Sequence, residues 1–123
     1  MKKKVLALAA AAEAGTGVVL LAWPPIVVRL LFGSEISGAG MIMSRLAGIA
    51  LIGLGAACWP GTGTRQAFPG MVTYSTLAML YLIYVGVRGE AVGLLLWPAV
   101  VAHVILVVLL VGARFKERET PAA

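Results

Sequence analysis

Glu13 stands in the middle of an apolar run, LALAAAAEAGTGVVLLAW, where an ionisable side chain is costly if the run crosses a bilayer. His103 occupies a second such run, LLWPAVVAHVILVVLL. Counted from 5 and back from 111, Glu13 and His103 lie at a similar depth, about 12 Å from one end of their helices. Tyr81, counted from 71, lies roughly 15 Å into a third run, and its side chain leans back towards the helix N-terminus, nearer to that level. Tyr74 shares the face of Tyr81 at i, i+7, and Thr16 is one turn from Glu13. These positions suggest a site of Glu13, Tyr81 and His103 with Thr16 beside them. A carboxyl, an imidazole and a phenol held in hydrocarbon can exchange a proton, pair with a cationic group, or hydrogen-bond the polar end of an apolar ligand. The plainer alternative is a protonated Glu13 that hydrogen-bonds a neighbouring helix.

These groups need helices to hold them. The 123-residue chain is 61% hydrophobic and only 12% charged, more apolar than a soluble domain of this size can bury. Four stretches, 5–22, 41–59, 70–87 and 92–112, would each run roughly 27 to 32 Å as helices, matching a hydrocarbon core. Pro24-Pro25 interrupts the first apolar region, and Pro25 suits the first turn of a short helix over 26–32. That helix reads IVVRLLF and would lie at the interface with Arg29 snorkelling to water. The expected fold is all-α: one domain over 1–123, a four-transmembrane-helix bundle with a short interfacial helix after the first span and a charged tail over 114–123.

Each tryptophan precedes a proline, at Trp23-Pro24, Trp59-Pro60 and Trp97-Pro98. Tryptophan favours the headgroup region and proline stops a helix, so these read as interfacial anchors at span ends. Pro98 falls inside the fourth stretch and is expected to kink it. Gly33 to Gly40 reads as a turn, Gly61-Thr62-Gly63-Thr64 as the inner loop, and 86–90 as a tight outer hairpin. Ser44, Gly48 and Gly55 share one face of the second span, and the first is alanine-rich. Such surfaces let backbones approach, either between spans one and two or between two copies of span two.

With the N-terminus inside, one side carries Lys2, Lys3, Lys4, Arg65, Arg114, Lys116 and Arg118, and the other carries Arg88, with Arg29 and Arg45 close to it. This bias predicts a multi-pass inner-membrane protein with both termini cytoplasmic. The net charge of +5 follows these topology signals, so no nucleic-acid partner is expected. Arg45 is expected to snorkel outward, or to pair with Glu35 or Glu90. Lys2–Lys4 and Ala12-Glu13-Ala14 resemble a signal peptide, but apolar residues continue to Trp23, so an uncleaved span is expected.

The single cysteine, Cys58, excludes an intrachain disulfide and suits packing. Ser-His-Asp sets, zinc-ligand spacings, P-loops and dinucleotide glycine motifs are absent from the sequence. No catalytic residue, metal or cofactor is therefore expected, and the chain is read as non-enzymatic.

Glu13, RLAGIALIGLGAACWP, GMVTYSTLAMLYL and LLWPAVVAH together resemble a group of small bacterial four-helix membrane proteins, loosely similar to the DoxX-like class. That resemblance covers most of the chain and implies a fold, with no assigned chemistry. Ala12-Glu13-Ala14-Gly15-Thr16 also resembles the segment around the essential glutamate of the small multidrug resistance transporters. That likeness implies a proton-coupled dimeric exporter of hydrophobic cations using Glu13. The charge bias opposes the dual topology such a dimer needs. Two further expectations rest on the residues: an apolar, lipid-like or quinone-like ligand near Glu13, or an accessory role in a homo-oligomer or larger membrane complex.

Overall fold

The computed structural model describes residues 2–61 and 64–119, with Thr64 described by its backbone alone. Thr62 and Gly63 of the inner loop, and 120–123 of the tail, lie outside the described residues. Among the described residues five helices follow in order: α1 (Lys2–Ala22), α2 (Pro24–Phe32), α3 (Ala39–Ala57), α4 (Thr64–Arg88) and α5 (Leu96–Glu119). All but α2 are long and apolar enough to cross a membrane. The protein is an all-α four-helix bundle and a multi-pass membrane protein.

Helix boundaries follow proline and glycine chemistry. Trp23 N–H closes α1 on the Val19 carbonyl at 2.8 Å. Both following prolines then fall in the first turn of α2, where a missing N–H removes no intrahelical bond. Gly33 ends α2 in the left-handed region at φ 65°, its N–H bonded to the Arg29 carbonyl at 2.9 Å.

Several sequence boundaries are corrected. α4 starts at Thr64 and runs through Pro69. Phe68 beside that proline is 2% exposed and Met71 is fully buried, so packing holds the segment despite the lost bond. α3 stops at Ala57, and Cys58 to Gly61 form a turn. α4 continues past Gly86 to Arg88, so the outer connection is 89–95 rather than a hairpin at 86–90. α5 begins at Leu96, which puts Pro98 in the first turn, where it needs no hydrogen-bond partner and causes no mid-span kink. Residues 93 and 95 instead tie down α2, with Gly93 N–H on Leu31 O at 2.9 Å and Leu95 N–H on Leu30 O at 2.7 Å. The tail is helical as far as Glu119, and Lys2 Nζ meets Glu117 Oε2 at 3.0 Å, so both described ends lie on one side.

α1 is the central helix. Its seam with α3 is glycine-lined: a Cβ on Gly48 would stand 2.7 Å from the Gly17 carbonyl oxygen, and one on Gly55 would stand 2.6 Å from that of Ala10. Two copies of α3 therefore cannot meet there, because α1 fills the face. α4 pairs with α5, and α1 reaches both, while α3 packs on α1 and α2 with no comparable contact to α4 or α5 among the described residues. The core lies towards the chain ends, where Leu6, Ala9 and Ala10 meet Phe68, Met71 and Leu110. In the other half of the bundle, α3 and the α4–α5 pair stand apart beneath α2.

Candidate functional site

The gap between α3 and the α4–α5 pair is a partly open cavity of about 890 Å³. α2 closes the end farther from the core, through residues such as Ile26, Leu30 and Phe32. Met43, Ala47, Leu51 and Ala78 contribute to mostly apolar walls. At the end nearer the core stand Glu13, Tyr74 and His103.

Each polar residue is placed by its helix's packing stripe. On α1 the buried positions are Val5, Leu6, Ala9, Ala10, Glu13 and Gly17, so Glu13 continues the stripe that builds the core. It is 5% exposed. On α5 the buried residues include Val100, Leu106 and Leu110, and His103 falls among them at helical spacing. His103 Nε2 lies 3.7 Å from Glu13 Oε1, longer than a hydrogen bond. Its Nδ1 stands 2.8 Å from the Ala99 carbonyl oxygen. A carbonyl only accepts, so Nδ1 carries a proton and donates it, and Nε2 holds the lone pair whenever the ring is neutral. Nε2 is buried and has no hydrogen-bond partner.

Tyr74, on α4, is the phenol of the site. Its hydroxyl lies close enough to the Glu13 carboxyl for the two to interact, and its ring is tilted 56° to the His103 ring with centroids 6.4 Å apart. The cluster is thus one carboxyl, one imidazole and one phenol, from α1, α5 and α4.

The structure brings together Glu13 and His103, as the sequence suggests, and puts Tyr74 where Tyr81 was expected. Tyr81 is 63% exposed, stacks on Tyr84 with centroids 6.3 Å apart, and lines the cavity away from Glu13. The reason is the start of α4. From Thr64, Tyr74 is as deep as Tyr81 would be from Met71. Thr16 lines the cavity and spends its hydroxyl proton on the Ala12 carbonyl at 2.9 Å. Ser44 is also on the cavity wall, while Gly48 and Gly55 are sealed against α1.

The remaining residues stand at helix ends. Trp23, Trp59 and Trp97 are all exposed, and Arg29 faces Glu35 at 3.9 Å on the surface. Arg88 takes Glu90 at 2.7 Å, so both carboxylates considered for Arg45 have other arginines beside them. Cys58 is buried, with its thiol 3.6 Å from the Ala67 carbonyl. Among the described residues, no group of His, Cys, Asp and Glu could hold a metal ion.

Comparison with known proteins yields no matching family model, curated protein or solved structure.

Proposed function

We propose that this protein is a non-enzymatic membrane protein that binds an apolar, lipid-like or quinone-like molecule between its helices. Its tail would lie against Met43, Ala47 and Ala78, and its polar end would reach Glu13, Tyr74 and His103. The observation that carries this reading is the cavity itself: its volume lies within the range of small-molecule sites, and its apolar walls end at a few convergent polar groups. The basic residues Lys2, Lys3, Lys4, Arg65, Arg114, Lys116 and Arg118 favour an inner-membrane placement with both ends cytoplasmic.

The test is native mass spectrometry of protein released in mild detergent. Retention of one defined apolar molecule is expected, and Glu13→Gln should keep the fold while weakening that retention. Unchanged retention in Glu13→Gln would remove Glu13 from the site. A clean dimer with nothing bound, and proton release when a hydrophobic cation is added, would favour the exporter instead. An accessory role would have to use another face, because α1 already covers the glycine seam of α3.

A further inference from the structure

The polar end of the cavity has an unusual charge inventory. Among the described residues lining the whole cavity, the titratable groups are Glu13, Tyr74 and His103 at this end and Tyr81 away from it, with no lysine or arginine. α2 and α3 contribute no titratable group to its walls. Glu13 and His103 can be neutral together or ionised together, and either way the pair carries no net charge. An anionic head placed there would need His103 protonated and Glu13 neutral, so it would bring a proton in with it and would still sit beside Glu13. A cationic head would need Glu13 ionised and His103 neutral, so it would displace a proton. An uncharged head asks for neither proton change, whereas a charged head buried without one would go uncompensated at high cost.

The hydrogen-bonding inventory narrows the head further. With both groups neutral, His103 offers a lone pair at Nε2, which is buried and unpartnered. It stands 3.7 Å from Glu13 Oε1, a separation that an intervening hydroxyl could span by donating to the imidazole and accepting from the carboxyl. An ether or ester oxygen can only accept and would leave Nε2 without a proton.

We propose that the Glu13–His103 pair selects an amphiphile whose head is an uncharged hydroxyl, such as an alcohol, a phenol or a quinol, and rejects anionic heads. This rests on the apolar-ligand reading above and names the ligand's chemistry. The hydroxyl bridges Nε2 and the carboxyl at the core end of the cavity, with Tyr74 beside them.

The test uses one tail and four heads on the full-length protein: hexadecanol, hexadecyl methyl ether, hexadecanoate and hexadecyltrimethylammonium, each titrated under native mass spectrometry in mild detergent. Hexadecanol should bind tightest, with the ether about fivefold weaker for want of a donated proton and hexadecanoate about tenfold weaker or more. In His103→Leu, alcohol and ether should bind alike. The wild-type series decides the matter even if that variant does not fold. Equal binding of alcohol and ether, or hexadecanoate as tight as the alcohol, overturns the proposal, as does tightest binding of the ammonium. If none of the four binds while the protein still retains a molecule of its own, the head chemistry fails and the binding reading survives. If nothing is retained either, both fall.

Discussion

Glu13 and His103 were legible because an ionisable residue in an apolar run stands out by type, and depth along a helix can be counted from sequence. Tyr74 was not, because its depth depends on where α4 begins, and Pro69 reads as a boundary to any rule about proline. The packing of Phe68 and Met71 carries the helix through it. The two tyrosines therefore make a paired test. Tyr74→Phe removes the hydroxyl beside Glu13 and should lower stability by about 1 kcal/mol. Tyr81→Phe alters an exposed ring that stacks on Tyr84 and should stay within about 0.5 kcal/mol of wild type. Reversible unfolding in detergent measures both, and equal losses would mean that Tyr74 has no special tie to Glu13.

At the level of helices, the glycines separate packing from tolerance. Gly48 faces the backbone of α1, where an added methyl would lie 2.7 Å from the Gly17 carbonyl oxygen and 2.8 Å from Leu21 N. Gly53, on the same helix, would meet nothing within 4 Å. Gly48→Ala should therefore destabilise by about 1 to 3 kcal/mol through overpacking, because backbone cannot move aside as a side chain can. Gly53→Ala should leave stability unchanged or slightly raised, since alanine is the better helix former. Thermal unfolding of the two variants checks this, and a tolerated Gly48→Ala would show that the α1–α3 seam is looser than drawn. The small-residue face was visible in the sequence, but its partner was not. Spacing shows that a face is small, whereas only the fold shows that α1, rather than another copy of α3, lies upon it.

Across the whole molecule, the arrangement is a packed half near the chain ends and an open half under α2. Placement of the described ends on one side follows from the Lys2–Glu117 pair and an even number of spans. The charge bias further predicts which side. In a Cys58→Ser background, Glu90→Cys should react with a membrane-impermeant maleimide added outside intact cells, and Arg118→Cys should react only after permeabilisation. The reverse pattern would invert the topology. By itself the sequence determined the class of molecule, because hydropathy and length follow composition along each helix and need no knowledge of neighbours. It also determined that Glu13 and His103 share a depth, since rise per residue is fixed. Only the tertiary structure decided that α3 stands off from α4 and α5 to leave a cavity, that residues 93 and 95 tie down α2 at one end of it, and that Tyr74 completes the cluster. Those outcomes depend on which helix faces meet, and pairing between helices is set by the fit of side chains and backbones far apart in the chain.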